Sequence, residues 1–165
     1  MRILGIDPGS QVTGYGVIES DGTRTALVTE GVIRTRSMRS FPEKLRLIYD
    51  GIVEVLDEHR PVQMVVEGLF YAMNVQSALK LGHVRGVALL AGVKRGIPVH
   101  EYSPLEVKLA VVGYGRADKE QVQRMVAVLL QLERPPEPHD AADALAIAIC
   151  HANQLRFAAK VSSSQ

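Results

Sequence analysis

Tryptophan is absent from this sequence, and cysteine occurs only once, as Cys150. A single cysteine cannot form an internal disulfide, which excludes the class of small disulfide-stapled secreted domains. The apolar residues 146–149 precede Cys150, so we predict an ordinary buried thiol at this position. Together these features favour a reducing compartment, and we expect a cytoplasmic protein.

Long apolar runs are also missing. The longest, residues 86–93, is too short to span a bilayer, and Asp7 and Pro8 interrupt the apolar run at the N-terminus. We therefore expect no membrane association and no secretory signal.

An excess of one charge is absent as well, because 19 basic residues face 18 acidic ones. Any nucleic-acid binding would therefore come from a local basic patch. Aromatic residues make up 5% of the chain and hydrophobic residues 47%. The core is therefore expected to be aliphatic, as in α/β proteins with strands covered on both faces.

The hydrophobic pattern predicts three strands followed by alternating helices and strands. The fold class is therefore α/β, with a mixed five-stranded sheet (an antiparallel meander plus parallel strands) flanked by helices. We expect one domain over residues 1–155 and a flexible tail over residues 156–165. The predicted strands are 2–7, 13–20, 24–34, 62–67 and 98–103. The predicted helices are 42–59, 75–95, 119–132 and 140–155, with one more that starts at Ser103-Pro104.

Two predicted strands end in a carboxylate. Asp7 ends the first strand, and Glu67 ends the strand after the first helix. If the two strands are parallel neighbours, both carboxylates lie at the edge where open α/β sheets bind ligands. Asp140 and Asp143 are three residues apart, so they share one face near the start of the last helix.

Four carboxylates brought together would repel one another unless a cation lay between them. Oxygen ligands suit Mg²⁺ or Mn²⁺, and two such ions about 4 Å apart can clamp the reacting oxygens of a phosphodiester. Taken singly, each residue has a simpler explanation. Asp7 can cap a turn, Glu67 can be a solvated strand end, and Asp140 and Asp143 can complement the helix dipole.

Four segments resemble the RuvC Holliday-junction resolvases, bacterial endonucleases of the ribonuclease H-like superfamily. They are GIDPGSQVTGYGVI, VVEGLFYAMNVQSALKLGHVRG, VKLAVVGYGRADKEQV and HDAADALAIAICH. The resemblance covers roughly residues 1–155. It implies a ribonuclease H-like fold and a homodimer that nicks four-way DNA junctions symmetrically in recombination and repair. It also implies two divalent ions per active site, Mg²⁺ or Mn²⁺, and a branch-migration complex of the RuvA and RuvB type as partner.

The resemblance also assigns residues to the site. The family's catalytic, metal-binding acids fall on Asp7, Glu67, Asp140 and Asp143. Some members use histidine at the third position, which makes His139 an accessory candidate. The family's aromatic residue that stacks on an unpaired junction base falls on Phe70, and its lysines near the scissile phosphates fall on Lys108 and Lys119.

Further basic residues are candidates for contacts with DNA. Arg116 lies in a glycine-rich loop, where it could touch the DNA backbone. The other three are weaker candidates because exposed helix charges are usually just solvated: Lys80, Arg85 and Arg124.

Small residues recur every four positions in the second predicted helix, at Ala78, Gly82 and Gly86. Such a stripe lets another helix approach closely, either within the monomer or across a dimer interface. The resemblance favours the two-fold interface, which also matches the symmetry of a four-way junction.

Other functions remain open at this point. The opening hairpin also looks like the phosphate-binding hairpin of actin- and sugar-kinase-like ATPases, but those need two such domains. A small pre-ribosomal RNA nuclease of the same superfamily and a catalytically silent junction-binding module are the further alternatives. The four acids argue against the last of these.

Overall fold

The computed structural model of the chain describes residues 1–68 and 74–162. Three strands come first, and helices and strands alternate after them, as predicted. The elements are β1 (Arg2–Asp7), β2 (Val12–Ser20), β3 (Thr25–Arg34), α1 (Phe41–His59), β4 (Gln63–Glu67), α2 (Val75–Lys94), β5 (Val99–Tyr102), α3 (Pro104–Val112), α4 (Lys119–Leu129) and α5 (His139–Ser162).

The five strands form one mixed sheet in the order β3-β2-β1-β4-β5. β1 runs antiparallel to β2 and parallel to β4, and β4 runs parallel to β5. The predicted mixed sheet is confirmed. Because β1 and β4 are parallel neighbours, with Ile6 opposite Val66, their carboxyl ends lie side by side.

Helices cover both faces of the sheet, which explains the long apolar runs in its central strands. On one face Leu4 and Ile6 pack with Ile48 and Ile52 of α1 and with residues of α2. On the other face, Ile3 and residues of α3, α4 and α5 form a second buried cluster.

Glycines in β1 and β2 bring α5 unusually close to the sheet. A Cβ atom at Gly5 would overlap the carbonyl oxygen of Ala144, and one at Gly14 would overlap the carbonyl oxygen of Asp140. The start of α5 therefore rests directly on the backbone of the first hairpin. Any larger side chain at Gly14 would push Asp140 away from the sheet.

Two predicted helix ends are wrong. α4 ends at Leu129 and not at residue 132, because Gln131 adopts a left-handed conformation with φ 56°. α5 does not end at Leu155 but continues to Ser162, so the tail expected from residue 156 is helical as far as Ser162. Ala158, Ala159 and Lys160 are strong helix formers, which accounts for the longer helix.

Cys150 is buried, as predicted, and burial raises the pKa of its thiol to about 12. Across residues 1–68 and 74–162, no helix combines the length and the apolar character needed to cross a membrane.

Candidate active site

Asp7 is held at the end of a buried strand by a tightly bonded turn. The Thr13 hydroxyl donates a hydrogen bond of 2.8 Å to the Gly9 carbonyl. The Thr35 hydroxyl donates one of 2.7 Å to the Ser10 carbonyl. These bonds fix the turn after β1, so the Asp7 carboxylate stands on a rigid element.

Glu67 lies next to Asp7 because β1 and β4 are paired in parallel. The Gly68 N–H donates a hydrogen bond of 2.8 Å to the Tyr102 carbonyl, which ties the end of β4 to β5. The two strand-end carboxylates are therefore positioned by the sheet itself.

Asp140 and Asp143 approach the same edge from α5. Asp140 lies over Gly14, which pairs with Asp7 in the β1–β2 ladder. Asp143 follows one turn later. The first hairpin thus positions both the strand carboxylate and the start of the helix.

The electrostatics of the site confirm that the four carboxylates are close together. Burial raises the pKa of Asp7 well above its ordinary range, and the charges of Glu67, Asp143 and Asp140 raise it further. Burial is also the main cause of the raised pKa of Glu67, with Asp143 adding to it. Negative charge is therefore concentrated here, where water is scarce.

One cation partly offsets this charge. The Lys119 ammonium lies 3.0 Å from Oδ2 of Asp143, and this hydrogen bond raises the pKa of Lys119. Lys119 and Lys108 belong to the wall of a cavity of about 300 Å³. Its lining residues are Asp7, Glu67, Pro104, Val107, Lys108, Lys119, Val122, Asp143 and Ala146.

The chemistry of these donors fits a hard divalent cation, since all four are carboxylates. Within residues 1–68 and 74–162, however, no three Asp, Glu, His or Cys side chains are arranged to hold a metal ion as they stand. The Lys119–Asp143 bond helps to explain why these side chains are not arranged around a metal ion, because the Asp143 carboxylate is already bonded to a lysine. Binding an ion therefore requires small side-chain movements, including release of Asp143 by Lys119.

Asp140 does not line this cavity, although its charge acts on Asp7. His139, the first residue of α5, lines a different cavity of about 830 Å³ together with Arg124. The structure therefore separates His139 from the cavity that holds Asp7, Glu67 and Asp143.

The other predicted DNA contacts are dispersed. Arg116 is exposed in the loop between α3 and α4, and Lys80 is exposed on α2. Arg85 forms an ion pair of 2.5 Å with Glu101, and Arg124 forms one of 3.1 Å with Glu120. Phe70 lies outside the described residues.

Sequence reasoning missed the apolar walls of the cavity, which Val107, Val122 and Ala146 contribute from three helices. It also missed the close packing of α5 on Gly5 and Gly14. Two signals for that packing were present in the sequence. Glycines alternate in β2, and the start of α5 is rich in alanine.

Comparisons with known proteins agree with this geometry. The family model described as "Crossover junction endodeoxyribonuclease RuvC" matches residues 3–151. The chain is similar to the proteins of that name from Geobacter sulfurreducens, at 56% identity over 93% of each chain, and from Geotalea uraniireducens, at 54% identity over 93% of this chain and 89% of the relative.

Solved structures show the same likeness. RuvC of Thermus thermophilus in complex with a Holliday junction substrate matches with a TM-score of 0.91 and 37% identity, covering 96% of each chain. The yeast mitochondrial Holliday junction resolvase Ydc2 matches over 94% of this chain and 80% of its own, with a TM-score of 0.68 and 15% identity. At that identity the second likeness concerns the fold alone.

The mixed sheet with helices on both faces is a ribonuclease H-like fold, as predicted. Within that class, the chain belongs to the RuvC family of crossover junction endodeoxyribonucleases. The resemblance drawn from its four sequence segments is confirmed.

Proposed function

We propose that the chain resolves four-way DNA junctions by paired, symmetric nicks through metal-dependent phosphodiester hydrolysis, in recombination and repair. The observation that carries this proposal is the meeting of carboxylates from β1, β4 and α5 beside a cavity edged by two lysines. Acids and lysines around one cavity suit the hydrolysis of a phosphodiester. An ATPase of the alternative class would need a second domain facing this edge.

Family members are metal-dependent nucleases, and the four acids, Asp7, Glu67, Asp140 and Asp143, are the proposed ligands. We propose Mg²⁺, with Mn²⁺ as a substitute, at two ions per site. When bound, such ions activate water and stabilise the leaving oxygen of a phosphodiester. Burial is the main cause of the raised pKa of Asp7, and the neighbouring acids add to it; a nearby cation would relieve this second part, which supports the assignment.

The chain's own residues hold and orient the substrate. Asp7 and Glu67 are fixed by paired strands, so they keep their positions when the substrate enters. Lys108 and Lys119 stand at the cavity wall, where they would offset the charge of the scissile phosphate. Val107 and Val122 contribute apolar surface to the same cavity wall.

Residues outside the cavity complete the proposed DNA interface. Arg116, on an exposed loop beside the site, would contact the backbone, and Phe70 would stack on an unpaired base. Lys80, Arg85 and Arg124 would contribute weaker contacts, since two of them are already bound to glutamates. His139 would act only as an accessory, at the start of α5.

We also propose a homodimer through α2. Gly82 and Gly86 are exposed, and a Cβ atom added at either would meet no atom within 4 Å in the described chain. The exposed Val75, Leu79 and Leu90 lie on the same helix. Among the described residues, no other element packs against Gly82 or Gly86, which supports an interface between two copies.

The cellular setting follows from the family resemblance. A branch-migration complex of the RuvA and RuvB type is the proposed partner, and the cytoplasm is the proposed location. The buried, unpaired Cys150 is compatible with a reducing compartment.

The function is tested by offering the protein a synthetic four-way junction, its linear duplex arms and single-stranded RNA, with and without Mg²⁺. We expect paired nicks at the junction centre, dependent on the metal, and little cutting of the other substrates. Comparable cutting of duplex or RNA would overturn the proposal in favour of a general nuclease.

A matched variant tests the dimer. Gly86→Glu places a charge on the exposed α2 stripe without meeting a neighbour in the monomer. We expect sedimentation analysis to show monomers and the paired nicks to become single ones. A dimer of unchanged stability would remove α2 from the interface.

A further inference from the structure

A second cavity adjoins the catalytic one. It measures about 270 Å³ and is lined by Ser103, Pro104, Leu105, Lys108 and Gly115. Pro104 and Lys108 line the catalytic cavity as well. The two cavities therefore share a wall, and Lys108 stands between the acidic site and this side cavity.

Exposed apolar residues lie on and near the wall of the side cavity, and one of them, Leu105, lines it. Leu105 is 57% exposed and Leu109 47% exposed on α3, and Tyr114 is 45% exposed in the following loop. We call these three residues the rim patch. Large exposed apolar groups that form a contiguous patch commonly mark a contact surface.

Two glycines present Tyr114 at this position. Gly113 ends α3 in the left-handed region at φ 90°, which turns the chain sharply. At Gly115 a Cβ atom would overlap the side chain of Leu105, so the loop lies directly against α3. Tyr114 therefore lies between two glycines and directly before Gly115, which lines the cavity.

The cavities on the two sides of the catalytic one differ in charge. Among the described residues, the wall of the side cavity contains Lys108 and no acidic side chain. The larger cavity on the other side of α4 has an excess of acids, which would repel a phosphate backbone. Its charged lining residues are Glu30, Glu120, Glu133, Glu137, Arg124 and Arg134.

We propose that the side cavity is a subsite for one nucleobase adjacent to the scissile phosphodiester, with Tyr114 as its stacking partner. A nucleotide combines an anionic phosphate, which Lys108 would bind, with a flat apolar base, which Leu105 and Tyr114 would contact. The cavity is at the small end of the range for ligand sites and suits a single base, not a duplex. This inference rests on the proposed function, since it assumes a DNA strand in the catalytic cavity.

The subsite is tested with junctions that carry 2-aminopurine at one position at a time around the exchange point. With the full chain and no added Mg²⁺, we expect quenching by stacking at one position flanking the cut. Tyr114→Ser should abolish that quenching and weaken junction binding roughly five- to tenfold, because base–aromatic stacking is lost. Tyr114→Phe should retain both.

Two further variants complete the experiment. Leu105→Ser should reduce the quenching at the same position, whereas Phe157→Ser, at another exposed aromatic residue on α5, should leave it unchanged.

If wild-type protein nicks the junction but Tyr114→Ser keeps the quenching and the affinity, the subsite is wrong and the proposed function stands. If Tyr114→Ser alters only binding of a second protein, the rim patch is a protein contact and the subsite is likewise wrong. Wild-type protein that neither binds nor nicks the junction would overturn the proposed function itself.

Discussion

Two polar clusters lie along the same helix, α5, and they differ in kind. At its start, Asp140 and Asp143 join two strand-end acids, and like charges accumulate with one lysine to offset them. Further along, His151 is buried beside Tyr102 and His100. Its Nδ1 forms a hydrogen bond of 2.9 Å with the Tyr102 hydroxyl, and its ring centroid lies 4.4 Å from that of His100.

The difference separates a functional cluster from a structural one. Burial, and then the neighbouring His100, lowers the pKa of His151 to about 4, which favours the neutral ring. Its Nδ1 is bonded to Tyr102, while its buried Nε2 has no hydrogen-bond partner among the described residues. Burial favours the neutral form in the acidic cluster as well. There, however, the charged carboxylate is the form that a metal needs. Proteins keep such unfavourable clusters where activity depends on them.

The first prediction concerns a substitution that disturbs only the acidic cluster at the start of α5. Gly14→Ala places a methyl group against the Asp140 carbonyl and should cost about 3 kcal/mol of folding free energy, by overpacking. Urea unfolding measures this loss. Gly22→Ala is the control, because no atom lies within 4 Å of that position, and it should cost only about 1–2 kcal/mol through its left-handed backbone.

Equal losses at Gly14 and Gly22 would mean that α5 does not rest on the first hairpin.

The second prediction concerns the histidine cluster and pH. The unfolded chain binds a proton at His151 near pH 6.5, whereas the folded protein binds one only near pH 4. Stability should therefore fall as the pH drops through this window, by about 3 kcal/mol at pH 4, since one pKa unit corresponds to about 1.4 kcal/mol and the folded group is half protonated there.

Thermal unfolding from pH 7 to pH 4, with excess Mg²⁺ throughout, measures this slope. His151→Phe should be less stable at pH 7 but should lose less stability on acidification. An identical slope in the variant would show that another group is responsible.

The third prediction concerns the acidic cluster, where the dependence of stability on pH should have the opposite sign. Without metal, folded Asp7 keeps a proton that the unfolded chain releases near pH 3.8, so stability should fall as the pH rises above that value. Asp7→Asn should then stabilise the metal-free protein at pH 8 by about 1–3 kcal/mol. Differential scanning calorimetry in EDTA measures the gain.

Adding Mg²⁺ should raise the melting temperature of the wild type more than that of Asp7→Asn, because the bound ion stabilises only the folded state. Equal shifts in the two proteins would separate Asp7 from the metal site.

The smallest effect is expected for the exposed ion pair of Arg124 and Glu120. Arg124→Gln should change stability by about 0.5 kcal/mol or less, since exposed pairs are weak. Junction binding, measured at several salt concentrations, should weaken only slightly. A large loss of affinity would make Arg124 a principal DNA contact.

The sequence predicted much of the sheet because its signals are local. Short apolar strands ended by Asp7 and Glu67, with turn residues after the first, indicated parallel neighbours and a common edge. The three-residue spacing of Asp140 and Asp143 placed them on one helix face, and the resemblance then assigned them to the same site as Asp7 and Glu67. What stayed hidden depends on contacts distant along the chain. The close approach of the Asp140 backbone to Gly14 is one case, and the hydrogen bond between Tyr102 and His151 is another.

The most direct test of the account compares wild type and Asp7→Asn on a four-way junction, with nicking and junction binding measured in the same Mg²⁺ buffer. The account predicts that the variant binds the junction with nearly normal affinity and loses nicking by a factor of about 10³ or more, the scale of losing a principal electrostatic group in an active site. Nicking by Asp7→Asn at close to the wild-type rate would contradict it.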